Sequence, residues 1–180
     1  FIREIYYAAN NFNNKLIEKE LSKIDNLKNE IIINQTCKSR IIGITIETRP
    51  DQITIDQLKE FRQMGVTRVQ LGVQHTNERV LSRINRRCNN RHTIKAIKAL
   101  KDNCFKIDIH LMPDLPKPLK KHVNPNKKKI TIDDIDESVN MIEEDKKMFD
   151  KVIEDEDFQA DQWKIYPCEV TPWTVIEKWY

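Results

Sequence analysis

The chain has 180 residues, of which 39% are apolar and 33% charged, and its 31 basic and 28 acidic side chains leave a net charge of +3. That length suffices for one domain with a core, while so small a net charge excludes any argument for nucleic-acid binding from the total and leaves only local clusters to carry one. No apolar run approaches the roughly 18 residues that cross a bilayer, so no membrane partner is expected.

Residues 1–29 read as helical, with Ile5, Phe12, Leu16, Leu21 and Leu27 spaced among charges. The segment from Arg40 to Glu47 reads as the first strand, rich in isoleucine and apolar enough to be buried on both faces. It ends abruptly in Glu47, Thr48 and Arg49 before Pro50. A carboxylate and a guanidinium at the carboxyl end of a parallel strand stand where α/β proteins keep ligand-binding groups.

Thr54 or Asp51 is placed to cap a helix over TIDQLKEFRQM that Gly65 ends. A second strand, 66–74, leads into a helix through NERVLSRIN. The helix TIKAIKALKDN then precedes a third strand, 105–113. A charged helix near 133–153 precedes a fourth strand, 161–167, and TVIEKWY reads as a last helix. Strands alternating with helices require crossover connections, which makes the sheet parallel and right-handed. The predicted fold class is α/β, a parallel partial βα barrel that these strands do not close by themselves.

The segment 117–129, KPLKKHVNPNKKK, holds six lysines and leaves the end of the third strand, the catalytic mouth of a βα barrel. It belongs to an insertion over 117–142 that is expected to be flexible, and it is the place where nucleic-acid phosphates could be gripped. Arg83, Arg86, Arg87 and Arg91 form a second basic cluster, and helical spacing predicts a solvated face for Arg83 and Arg87. The cysteines at 37, 88, 104 and 168 show no C-x-x-C spacing and read as buried thiols of a reducing compartment. A chain that begins with Phe1 is expected to be a piece of a longer protein.

GITIETRPD, TRVQLGVQHTNERVLSRINR, FKIDIHLMPDLP and ADQWKIYPCEVTPWTVIEKWY resemble, in this order, successive segments of the radical S-adenosylmethionine domain of the Elongator catalytic subunit family, the tRNA uridine acetyltransferases. FIREIYYAAN resembles the helix that precedes them. The resemblance covers about residues 41–116 and 143–180. It implies that residues 1–180 are a partial radical S-adenosylmethionine domain, with strands three to six of a six-stranded partial barrel, 1–39 as leading helix, and the cluster loop and acetyltransferase domain outside the chain.

The same resemblance implies a [4Fe-4S] cluster and S-adenosylmethionine as cofactors, acetyl-CoA as co-substrate, and tRNA and other Elongator subunits as partners. It further implies a cytoplasmic protein, with the nucleus as alternative. The product would be 5-carboxymethyluridine at the wobble position, and this segment alone is expected to be inactive. The cluster ligands are three cysteines of a loop outside this chain, so no metal ligand is assigned here and the catalytic residues stay unassigned. Cofactor-binding roles fall on Glu47, Gln74 and Arg86, the last meeting the methionine carboxylate through its fork, and on His110 as a ribose contact. Arg49, Lys164 and Tyr166 are substrate-pocket candidates.

Two positions depart from the family pattern, Arg87 and Lys117, where glycine is common. A positive φ at either would cost roughly 1 kcal/mol. A diverged, non-catalytic module that binds tRNA or a partner is the alternative function. A coproporphyrinogen-oxidase-like radical enzyme accounts for Glu47, Gln74 and Arg86 but not for KIYPCEVTPW.

Overall fold

Four strands, β1 (Ile44–Thr48), β2 (Val66–Gln74), β3 (Lys106–Leu111) and β4 (Gln162–Ile165), form one parallel sheet in the order β1-β2-β3-β4 in this computed structural model. It describes residues 1–12, 26–124, 127 and 129–179. The helices are α1 (Ile2–Asn11), α2 (Leu27–Asn34), α3 (Ile55–Gln63), α4 (Glu78–Arg83), α5 (Asn90–Asp102) and α6 (Met141–Glu154). The chain divides into two compact units, residues 1–46 with 54–68, and residues 47–53 with 69–180.

In the first unit α1 packs on α2 and the two are laced by amides. Asn10 Nδ2 donates to Glu30 Oε2 (2.8 Å), Asn34 Nδ2 to Asn10 Oδ1 (2.7 Å), and Asn34 Oδ1 accepts from the Ile41 backbone (2.8 Å). Thr54, rather than Asp51, caps α3 by accepting from Gln57 N, which satisfies one of the orphan donors of the first turn. Gly65 ends the helix at φ 76° with the Tyr6 hydroxyl lying where a Cβ would stand. Only glycine meets both demands at that position.

The second unit shows why β2 and β3 lie deep in the structure. Val69, Leu71 and Val73 on β2 and Ile107, Ile109 and Leu111 on β3 are buried, the alternation that period-two geometry imposes on a strand. Buried Ala96, Ile97 and Leu100 on α5 and Met148 and Val152 on α6 complete the core. α5 packs on β3, and the short helical turn 156–158 carries fully buried Phe158 against α5 and α6. Asn89 caps α5 in a reciprocal box with His92, where the imidazole takes the part usually played by Glu or Gln.

Several boundaries differ from expectation for identifiable reasons. β1 stands at the edge of the sheet, so its residues alternate between half-buried and exposed instead of being covered on both faces. The charged helix starts at Met141, not near 133, because Asn140 caps it and Thr131 and Asp134 close a separate turn over 132–134. TVIEKWY forms only one short turn, Glu177–Trp179. Residues 27–34 form a helix of their own beyond the predicted end at 29, and Leu16 and Leu21 of the predicted first helix lie outside the described residues. No helix among the described residues is long and apolar enough to cross a membrane.

In the insertion, Leu119 and Ile135 form an antiparallel bridge and Leu119 is buried. The Lys120 and Asp136 backbones donate to Asp134 O (2.8 Å) and Pro118 O (2.9 Å). Lys127 and the Thr131 backbone hold the Asp134 carboxyl down to a pKa of about 2. Neither Arg87 nor Lys117 has a positive φ; the left-handed residues of these loops are Asn85 and Asp114. The glycine-to-side-chain departures therefore carry no backbone strain.

Candidate functional site at the carboxyl ends of the strands

The strand face opposite the buried aliphatics is polar. β2 presents Gln70, Gly72 and Gln74, and β3 presents Asp108 and His110. The parallel register sets His110 beside Lys164 and Asp108 beside Gln162, so Lys164 of β4 shares that face.

These side chains form one chain of contacts. Lys164 Nζ lies 3.8 Å from Asp108 Oδ2, and Gln70 Nε2 donates to the same oxygen at 3.4 Å. A carboxylate only accepts, so the Gln70 amide is oriented with Oε1 toward His110 Nε2, 3.1 Å away. His110 Nδ1 then faces Glu47 Oε1 at 3.3 Å. Tyr166 meets the same imidazole edge-on, ring centroids 5.7 Å apart. Glu47, His110, Lys164 and Tyr166, separate in sequence, are thus brought together.

Asp108 and Gln70 are the members that sequence reasoning missed. Asp108 is only 1% exposed, and the available signal was a carboxylate set between Ile107 and Ile109 in a strand whose neighbours are all core. A buried carboxylate is tolerated where partners surround it.

Arg86 reaches this face from the loop after α4. Its Nη2 donates to the Gly72 carbonyl and occupies the space of a Cβ at that glycine. Its Nε is buried with no partner among the described residues, and burial lowers its pKa. Gln74 ends β2 at φ 72°, a conformation that costs a non-glycine residue roughly 1–2 kcal/mol. Its carbonyl accepts from Met112 N at 2.7 Å, which ties the ends of β2 and β3.

Arg49 does not pair with Glu47. Its guanidinium grips Asp51 through Nε (2.9 Å) and Nη2, and this hydrogen-bonded pair holds the Asp51 carboxyl below its usual pKa. The two-residue spacing brings Asp51 onto the arginine, whereas Glu47 is turned to the strand face.

Behind the strand ends lies a buried strut. His75, with no exposed surface, shares Nε2 with Asp145 Oδ1 (3.1 Å) and accepts at Nδ1 from Asn77 N (2.8 Å). The other Asp145 oxygen accepts from Asp114 N at 3.1 Å. One carboxylate of α6 thereby fastens the loops after β2 and β3. Burial lowers the His75 pKa, as desolvation does for any cation.

The cysteines remain unpaired with one another, and of the four only Cys88 is buried, Cys104 being exposed. The expectation of four buried thiols thus holds for one, Cys88, which is covered although it too lies on a loop. No group of three metal-ligating side chains occurs among the described residues, so these residues do not fit an iron-sulfur cluster. They do fit part of an S-adenosylmethionine site, since an arginine with an unsatisfied Nε in a glycine cradle suits a carboxylate.

Residues 12–124 match the Radical SAM superfamily. The chain is 36% identical over 148 residues to the tRNA uridine(34) acetyltransferase of Methanocaldococcus infernus, covering 82% of this chain and 24% of that protein. It is 31% identical over 180 residues to Elongator complex protein 3 of Saccharomyces cerevisiae, covering 99% and 27%. The solved structure of the Methanocaldococcus infernus Elp3 lacking residues 1–46 superposes with a TM-score of 0.74 and 32% identity over 99% of this chain and 34% of that one. Coproporphyrinogen III oxidase of Escherichia coli, a radical SAM enzyme, shares the fold at a TM-score of 0.53 and 21% identity, covering 72% of this chain and 24% of that one. The chain spans about a quarter of the curated relatives it matches. The parallel four-stranded sheet agrees with that match, and the chain belongs to the radical SAM superfamily.

Proposed function

We propose that the chain is part of a tRNA uridine(34) acetyltransferase of the Elongator catalytic type, converting wobble uridine to 5-carboxymethyluridine with acetyl-CoA as co-substrate. The observation that carries this reading is the polar strand face with Arg86 laid into Gly72, in a chain similar along 82% of its length to a protein named tRNA uridine(34) acetyltransferase and along 99% to one named Elongator complex protein 3. S-adenosylmethionine with a [4Fe-4S] cluster supplies radical chemistry when bound. The cluster and acetyl transfer are assigned to parts of the full-length protein other than these 180 residues, so this segment by itself is inactive.

Within the segment, Arg86 holds the methionine carboxylate, its unsatisfied Nε and fork geometry suiting that group. Glu47 accepts from the amino or ribose groups and Gln74 adds an amide at the strand end. His110, fixed by Gln70 on one side and Glu47 on the other, presents its ring as a ribose contact. Lys164, Tyr166 and Arg49 are assigned to the substrate side of the same strand ends. The partners are tRNA and the other Elongator subunits, and the compartment is the cytoplasm.

The test is direct. Full-length protein with reconstituted cluster, S-adenosylmethionine, acetyl-CoA and a tRNA transcript should yield 5-carboxymethyluridine by nucleoside mass spectrometry. Binding of tRNA without cofactor binding or product would instead favour a non-catalytic module.

A further inference from the structure

Away from the strand ends, the two basic clusters of the sequence meet around one cavity. Arg79, Ser82 and Arg83 of α4 face Leu119, Lys120, Lys121 and Val123 across a space of about 230 Å³. The loop is fastened to the helix by Arg79, which donates to Leu119 O (2.7 Å) and pairs with Asp136. Arg79 is thereby paired, both contacts running through its Nη2.

Arg83 is different. It was expected on a solvated face, yet it is 5% exposed. Its Nε and Nη1 are buried and have no hydrogen-bond partner among the described residues. Trp179 covers the guanidinium, 3.6 Å from the ring centroid. That contact uses the face of the cation and leaves its in-plane donors unsatisfied, which costs a folded protein free energy unless something accepts from them. Of the nearby acids, Asp136 is engaged by Arg79 and Asp134 by Lys127 and Thr131. Lys120 and Lys121 are exposed at the rim. The cavity therefore carries an uncompensated excess of positive charge beside two buried, unpartnered guanidinium donors.

We propose that this cavity is a phosphate site, in which Arg83 binds the oxyanion edge-on over Trp179 and Lys120 and Lys121 close over it. Its volume decides the size of the ligand. About 230 Å³ falls below the roughly 300–1,000 Å³ of pockets that enclose a drug-sized molecule, so a single phosphate group fits and a whole nucleotide does not. The phosphate is one of the RNA backbone, a commitment that rests on the proposed tRNA activity; inorganic phosphate shares the chemistry and serves as an independent probe.

The experiment uses the full-length protein, Arg83→Gln and the double variant Lys120→Ala/Lys121→Ala, with two probes. Inorganic phosphate should raise the Tm of the parent protein and should lose that effect in both variants. A tRNA transcript, titrated between 50 and 200 mM salt, should bind each variant about tenfold more weakly, with the slope of log K against log salt flattened by about one unit. The double variant alters only exposed side chains, so it carries the test if Arg83→Gln fails to fold. Unchanged phosphate protection and unchanged tRNA affinity and slope overturn the site. Lost phosphate protection with unchanged tRNA binding overturns RNA as the source. A parent protein that binds no tRNA but whose phosphate protection depends on Arg83 and the two lysines overturns the proposed activity and upholds the cavity.

Discussion

Glu47 Oε1 and His110 Nδ1 lie 3.3 Å apart although β2 runs between their strands. Two strand spacings amount to about 10 Å, so the pair closes only because both side chains reach over the same face of β2. The contact joins polar residues of two strands that are not neighbours in the sheet.

Removing one partner of the proposed charge-assisted hydrogen bonds to the cofactor should be measurable. In the full-length protein, Glu47→Ala and Arg86→Ala are each expected to weaken S-adenosylmethionine binding by about 1–3 kcal/mol, read by equilibrium dialysis, with the cluster absorbance retained. Parental affinity in both variants would remove these residues from the cofactor site.

Gly72→Ala should act on Arg86 without touching it in sequence. The new Cβ would meet Arg86 Nη2 at a separation no side chain tolerates, so the guanidinium must leave the Gly72 carbonyl. A loss of about 1–3 kcal/mol in stability is expected from such overpacking, together with reduced cofactor affinity. A Gly72→Ala protein with parental melting and binding would mean that Arg86 is free to sit elsewhere.

Gln74 offers a separation of stability from function. Its φ of 72° suits glycine, so Gln74→Gly should leave stability equal or raise it by about 1 kcal/mol. Cofactor affinity should nonetheless fall, since the amide is lost. Denaturant melts and dialysis on the same preparation decide this, and a variant that gains stability with undiminished affinity would show that the strained side chain has no ligand.

The strut predicts a pH dependence. His75 is buried with a lowered pKa, so the unfolded chain binds its proton more readily than the folded one. Stability from this group is fully present above about 6.5, the unfolded value, and is lost as pH falls from there toward the lower folded value. Melts from pH 8 to 5 should show the decline, and His75→Gln should flatten it. Asp145→Ala, which strips the acceptor from His75 Nε2 and Asp114 N, should cost about 2–4 kcal/mol at pH 7.5; a loss under 1 kcal/mol would mean that water replaces the carboxylate.

Much of this protein was legible in its sequence, because the governing interactions are local. β2 occupies the predicted span, 66–74, since alternating apolar residues and Gly65 define it within a few positions. Glu47 could be picked out for the same reason, as a charged residue at the end of an apolar run, whereas Gln74 and His110 were assigned only through the family resemblance. Tertiary structure alone decided what those residues touch. Sequence pairs Arg49 with Glu47 as readily as with Asp51, yet the strand turns Glu47 toward His110, sixty-odd positions away. Asp108 lies between two isoleucines in sequence, and only the fold sets Gln70 and Lys164, from strands on either side, around it. Arg83 looked solvated by helical spacing until Trp179, from the far end of the chain, was found over it. Periodicity records which face of an element is apolar; it carries no record of which distant chain segment will cover the other face, because that is settled by packing across the fold.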